Sequence, residues 1–214
     1  MNIPSSTNAS VALALSCDAI GFDLDDTLIA TFATAYARVC SAARSLQLSP
    51  PSIQQFEDIY GRVSFPECVL EWYSNVDLET FERAYREHSP RHPYRALVDG
   101  KALLEMLRAR RKSVGLITNT PREKIPAKLA VVGLTTESFD HVISADDVGA
   151  PKPDPAVLHA WINASGRDRS AHCYIGDSPA DQAAAAAAGI KFVAVQARDR
   201  IEAPTMTSVA AFLE

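Results

Sequence analysis

Three carboxylates fall within four positions of this chain, in Gly21-Phe22-Asp23-Leu24-Asp25-Asp26-Thr27-Leu28. They follow a short apolar run, Ala19 to Phe22, of the kind that forms a buried strand. Side chains alternate along an extended chain, so Asp23 and Asp25 point to one side and Leu24 to the other. Two carboxylates held together repel, and a shared proton or a bound cation relieves the repulsion. Neither His nor Cys stands in the cluster, so its donors are all oxygen and suit a hard divalent ion. Three further segments carry side chains of the same kind. Thr118 and Asn119 follow the apolar run from Val114, and Lys152 lies in Gly149-Ala150-Pro151-Lys152-Pro153-Asp154-Pro155. Asp177 and Asp181 lie in Gly176-Asp177-Ser178-Pro179-Ala180-Asp181. Each piece also has a plainer reading. Asp26 or Thr27 can cap a helix, Thr118 can be a strand-end hydroxyl, and Lys152 can be a solvated turn residue. Asp177 can cap a helix at Pro179, with Asp181 in its first turn.

Chemistry at these positions depends on the elements that carry them. The patterns predict strands at Cys17–Phe22, Val114–Thr118, Val142–Ser144, Cys173–Ile175 and Lys191–Val195. Helices are expected at Lys101–Arg111, Pro121–Val132, Asp154–Ser165, Pro179–Ala188 and, in the tail, Met206–Leu213. Strands alternating with helices predict an α/β fold, a parallel sheet with helices on both faces. Residues 30–93 break this alternation and read as all-helical. Their helices are expected at Ile29–Leu46, after Ser52, at Phe65–Tyr73 and from Asp77 to about His88, forming an inserted helical cap. Phe65, Trp72 and Tyr73 read as its core rather than as a stacking platform. Residues 17–29 and 94–214 then make the core, and residues 1–16, rich in Ser, Thr, Asn and Ala, read as a flexible lead-in. Ligands of open parallel sheets bind beyond the carboxyl ends of the strands. Asp23, Asp25, Thr118, Asn119, Lys152, Asp177 and Asp181 all fall at that edge.

Composition narrows the function. At 214 residues, 47% hydrophobic and 22% charged, the chain can bury one good core plus a smaller unit. A net charge of −5 offers no global basic field, so neither nucleic acid nor an anionic membrane is expected as a partner. No apolar run approaches the ~18 residues of a membrane span. Met1 to Ser10 has no Lys or Arg, unlike a signal peptide, and a cytoplasmic location is expected. Cys17, Cys40, Cys68 and Cys173 lack metal-type spacing and read as reduced thiols.

The four chemical segments, in this order, resemble the four motifs of the haloacid dehalogenase-like hydrolase superfamily. These are D-x-D-x-T at Asp23–Thr27, Thr118 after a hydrophobic strand, Lys152 in a K-P-D-P setting, and G-D-S-x-x-D at Gly176–Asp181 with an Ala-rich helix behind it. The likeness spans Asp23 to Asp181. It implies a Rossmann-like core with a small helical cap inserted after the first strand. The implied activity is that of a Mg2+-dependent phosphatase acting on a small phosphomonoester through an aspartyl-phosphate. By the resemblance, Asp23 is the nucleophile and Asp25 the general acid/base. Thr118 and Asn119 hold phosphate oxygens, and Lys152 offsets charge on Asp23 and the phosphoryl group. Mg2+ is held by Asp23, the Asp25 carbonyl and Asp177, with Asp181 as a further ligand or a support behind them. A halide needs no proton to leave, so the acid at Asp25 favours phosphoryl transfer over carbon–halogen cleavage. Residues 30–93 contain no Lys, against the Schiff-base chemistry of phosphonate-cleaving relatives. Asp26 stands where many relatives carry Gly. Arg62, in an expected interhelical turn, can meet an anionic leaving group or simply face solvent. The alternatives are a phosphosugar mutase on the same scaffold and a non-catalytic protein that binds phosphorylated ligands. A small phosphorylated metabolite is the expected partner, and the chain is expected to be a monomer or homodimer.

Overall fold

Short apolar runs separated by helices have one stable arrangement, a parallel sheet with both faces covered, and that is what forms. The computed structural model describes residues 6–61 and 63–195, so the helix expected at Met206–Leu213 and the Arg62 side chain lie outside the described residues. The strands are β1 (Ala19–Phe22), β2 (Ile29–Ala30), β3 (Arg95–Ala96), β4 (Ser113–Thr118), β5 (His141–Ser144), β6 (His172–Gly176) and β7 (Lys191–Ala194). The helices are α1 (Ser6–Leu15), α2 (Phe32–Ser45), α3 (Ile53–Ile59), α4 (Phe65–Trp72), α5 (Leu78–His88), α6 (Gly100–Ala109), α7 (Ile125–Leu129), α8 (Ala145–Val148), α9 (Ala156–Ser165) and α10 (Pro179–Ala188). Five strands form one sheet in the order β5-β4-β1-β6-β7, with every neighbouring pair parallel. Phe22 pairs with Leu116 and Ile175, so Asp23 leaves the sheet between the ends of β4 and β6. None of the helices among the described residues is long and apolar enough to cross a membrane. All four cysteines are free and buried.

The chain divides into two compact units, one drawn from Met1–Thr31 and Tyr94–Glu214, the other Phe32–Pro93. In the first unit an apolar layer lies on each face of the sheet. One layer gathers Ile20, Phe22, Leu104, Leu107, Leu116 and Ile175, and the other is built around Trp161, Ile117, Tyr174 and the alanines of α10. Ala184, Ala185 and Ala188 are fully buried, which is why a run of six alanines suits this helix: small side chains let it lie close to the strands. Trp161 lies over β1 and β4, where a Cβ added at Gly115 would come within 2.7 Å of its Nε1 and 2.9 Å of Ile117 Cδ1. Both neighbours are packed in the core, so Gly115→Ala is expected to destabilise the protein by about 1–3 kcal/mol, the scale of overpacking. Urea unfolding checks this, and an unchanged midpoint would contradict the packing account.

The second unit has its own core. Phe56 is at its centre, edge-on to Phe32 at 5.1 Å and stacked on Tyr60 at 4.4 Å and Trp72 at 5.3 Å. Phe65 packs on Tyr85 and Tyr73 on Phe81, so the aromatic residues of α4 and its end are core members, as their helical spacing predicts. Arg38 is buried, and its Nε donates to the His92 carbonyl at 2.9 Å, tying α2 to the far end of the unit.

Three expectations need correction. The lead-in at 1–16 contains α1, whose Val11, Ala14 and Leu15 form an apolar stripe against the core of the first unit. Tertiary burial of that stripe outweighs a polar composition that by itself reads as disorder. The helix expected from Ile29 starts at Phe32 instead, because Ile29–Ala30 pairs antiparallel with Arg95–Ala96. The helix expected at Pro121–Val132 is split into a 3-10 turn at Arg122–Lys124, α7, and a second 3-10 turn at Ala130–Val132. Pro126 has no N–H with which to continue the helical ladder.

Candidate active site

Four chain segments converge beyond the carboxyl edge of the sheet, and Lys152 joins three of them. Asp23 follows β1 directly, and its N–H donates to the Ile175 carbonyl at 2.9 Å, continuing the β1–β6 ladder by one residue. Its carboxylate is buried and accepts from Lys152 Nζ at 2.7 Å. The same ammonium donates to Asp181 Oδ1 at 2.6 Å and to the Tyr174 hydroxyl at 2.6 Å, which fills its three N–H positions. Tyr174 in turn donates its hydroxyl to the Ile117 carbonyl at 2.7 Å. The charges of this buried cluster are therefore paired and its donors directed. Burial pushes the Asp23 carboxyl up to about 7, with Asp181 and Asp25 adding to the rise and Lys152 opposing it. Burial works against the Lys152 charge too, but Asp23 and Asp181 outweigh it and hold the ammonium above its ordinary value. Asp181 runs the opposite way from Asp23: burial would raise it, and Lys152 with Ser178 holds it below the usual carboxylate range.

Lys152 reaches this position because its loop is anchored. Asn119 brackets the Lys152 backbone, its Oδ1 accepting from the Lys152 N–H at 2.8 Å and its Nδ2 donating to the Lys152 carbonyl at 3.0 Å. Both polar groups of the Asn119 side chain thus help to fix the lysine loop. Asp181 is fixed by a capping box at the start of α10. Ser178 Oγ accepts from the Asp181 N–H at 3.1 Å, and Asp181 Oδ2 accepts from the Ser178 N–H at 3.0 Å and hydroxyl at 2.6 Å. Gly176 permits this approach, since a Cβ there would sit 2.6 Å from the Asp181 carboxyl carbon.

Asp177 stands next to Gly176 at the end of β6, half-buried, and receives the Thr27 hydroxyl at 3.5 Å. One carboxylate oxygen from each of Asp23, Asp177 and Asp181 lies within 4.8 Å of the others. The sequence-predicted acids other than Asp25 thus meet in one place. The Asp25 carboxylate turns to different partners: Lys128 Nζ, at 2.5 Å and 2.7 Å from its two oxygens, and the Thr120 hydroxyl, in a short contact. Thr118 is buried at the end of β4, where its hydroxyl accepts from the Thr120 N–H at 3.0 Å. Asp26 adopts a left-handed backbone, φ 54°, a region that favours Gly, Asn and Asp. Its two oxygens accept from the Thr31 N–H at 2.9 Å and hydroxyl at 3.0 Å, closing the loop after β1.

Sequence reasoning missed Tyr174, Thr120 and Lys128 as members of this cluster. Tyr174 carried a signal, because a phenol inside an otherwise apolar strand must find a polar partner. Lys128 carried none, since nothing along the chain connects it with Asp25.

A family model described as haloacid dehalogenase-like hydrolase matches residues 20–195. A phosphoglycolate phosphatase of Cereibacter sphaeroides is 29% identical over 181 residues, covering 80% of this chain and 81% of that protein. One from Pseudomonas fluorescens is 32% identical over 186 residues, covering 80% of this chain and 66% of that protein. The crystal structure of a predicted phosphoglycolate phosphatase from Haemophilus somnus has the same fold, with a TM-score of 0.75 at 20% identity, over 92% of this chain and 97% of that one. With all four motifs gathered at one sheet edge and the family match running through them, this chain belongs to the haloacid dehalogenase-like hydrolases, in their phosphatase-like branch.

Proposed function

We propose that the chain is a Mg2+-dependent phosphatase of a small phosphomonoester, working through a phosphoryl group carried on Asp23. The buried Asp23–Lys152 pair, with Asp177 alongside, is the observation that carries this reading. An Asp23 oxygen attacks phosphorus, the bond to the leaving alkoxide breaks, and Asp25 gives that oxygen its proton. Asp25 then takes a proton from water as the water attacks the aspartyl-phosphate, which releases inorganic phosphate and restores Asp23. Lys152 keeps a fixed positive charge beside the oxygens on which charge accumulates. Thr118, at the end of β4, would offer its hydroxyl to a phosphate oxygen.

The donor set fits a hard divalent ion, because the carboxylates of Asp23, Asp177 and Asp181 converge with no His or Cys among them. Asp23, the Asp25 carbonyl and Asp177 would hold Mg2+. Asp181, both of whose oxygens already accept hydrogen bonds, supports Lys152 from behind. When bound, the ion supplies positive charge against which the phosphate dianion and Asp23 can meet. Asp177→Asn is expected to raise the Mg2+ needed for half-maximal activity by at least the roughly 10–100-fold seen on losing an outer partner of a metal ligand. A Mg2+ titration of the variant checks this.

Phosphoglycolate heads the substrate candidates because it is in the names of the relatives. The test is inorganic phosphate release from phosphoglycolate, sugar phosphates, nucleoside monophosphates and p-nitrophenyl phosphate, with Mg2+ and then with EDTA. Release that requires Mg2+ and no co-substrate is expected. A requirement for a bisphosphorylated sugar would mark a mutase instead, and no turnover of any phosphate ester would sink the phosphatase reading.

A further inference from the structure

Asp25 is set apart from the Lys152 cluster; two side chains from other parts of the chain meet on it, and a third packs on one of these. Lys128, on α7, contacts both of its oxygens, at 2.5 Å and 2.7 Å. Thr120, two residues beyond β4, donates its hydroxyl to Asp25 Oδ2 and receives Lys128 Nζ at 3.2 Å. Tyr94 places its ring 5.7 Å from the same Nζ, within the reach of a cation–π contact. The Thr120 end of this clamp is rigid. Its N–H is held by Thr118 Oγ1 and its carbonyl by the buried Ser144 hydroxyl, at 2.8 Å. Asp25 is by contrast about a third exposed, at 31% of its side-chain surface, and Lys128 is 15% exposed. A carboxylate in that position, without the clamp, would explore several rotamers in water.

We propose that Lys128, acting with Thr120, is a positioning residue that fixes the Asp25 carboxylate in the orientation from which it serves the leaving oxygen. The inference rests on the phosphatase reading, in which Asp25 gives its proton to that oxygen. An ordinary surface ion pair would need neither contact with both carboxylate oxygens nor a shared, buried threonine. Fixing direction matters here because proton transfer requires hydrogen-bond reach, and a misplacement of about 1 Å can cost on the order of a hundredfold in rate.

The test exploits leaving-group chemistry. An alkyl phosphate needs a proton on the departing oxygen, whereas p-nitrophenolate departs without one. Lys128→Met is expected to lower kcat/KM by about 10–100-fold for an alkyl phosphate and only slightly for p-nitrophenyl phosphate. Thr120→Val should show the same bias, Asp25→Asn a stronger form of it, and Lys128→Arg should restore much of the alkyl activity. Circular dichroism should give the Met variant the wild-type melting profile. Equal losses on the two substrates, or no loss, would overturn the role of Lys128 while leaving the phosphatase reading intact. A wild-type protein that hydrolyses neither substrate overturns both.

Discussion

Asp23→Asn is expected to abolish phosphate release, by a factor on the order of 10^6 on the scale seen when the nucleophile of another covalent enzyme is removed. The substitution keeps the shape of the side chain but replaces the nucleophilic carboxylate with an amide, whose oxygen is a far weaker nucleophile, and removes one carboxylate charge of the metal site. The fold is expected to survive. Asp23 is buried and its carboxyl is raised to about 7, so the folded protein already resists its ionisation, and a neutral amide removes that cost. Lys152 keeps its contacts with Asp181 and Tyr174 in the variant. Phosphate release and melting temperature should therefore separate, one lost and the other close to wild type. Activity within tenfold of wild type in a folded variant would remove Asp23 from the nucleophile role.

Lys152→Met should do the reverse, costing both activity and stability. The Lys152 side chain is 3% exposed, against 8% for Asp23 and 1% for Asp181, so removing the ammonium leaves two buried carboxylates facing each other. Breaking a buried pair in this way costs about 3–5 kcal/mol. Activity is expected to fall by at least about a thousandfold, the larger end of what one electrostatic donor contributes. The stability loss also has a pH sign. An acid whose folded pKa lies above its unfolded value stabilises the fold below the unfolded pKa, and that contribution is lost as pH rises through the folded one. Asp23 is already such an acid with Lys152 present, and without it Asp181 loses the partner that holds it low. The deficit of the Met variant should then grow as pH rises from about 5 to 8 in urea unfolding. A deficit that shrinks over that range would mean that Lys152 does not neutralise these carboxylates.

Much of the scaffold was legible because its strands and helices are simple. Ile20, Phe22, Leu116 and Ile175 announce buried strands, and the helices between them require parallel pairing. Asp23, Thr118 and Asp177 come directly at or after strand ends, so a parallel sheet brings them to one edge whatever its details. The lead-in was misread because α1 is stabilised by burial of Val11, Ala14 and Leu15 rather than by local signals. The hold of Asn119 on the Lys152 loop is likewise not a local signal. An amide after a strand can bond a neighbouring loop, but which loop comes within reach depends on where Lys152 lies in the fold.

By itself the sequence determined the α/β class, the helical insertion and the edge of the sheet where the acids and the lysine gather. Those properties follow from periodicity and from residues adjacent to strand ends, which are local. Only the tertiary structure decided the partners: Lys152 held among Asp23, Asp181 and Tyr174, and Asp25 held by Lys128 and Thr120. Asp25 and Lys128 are 103 residues apart in the chain. Alternation and helical spacing specify the face on which a side chain lies, whereas the group it meets there depends on how separate elements pack, and no local pattern encodes that.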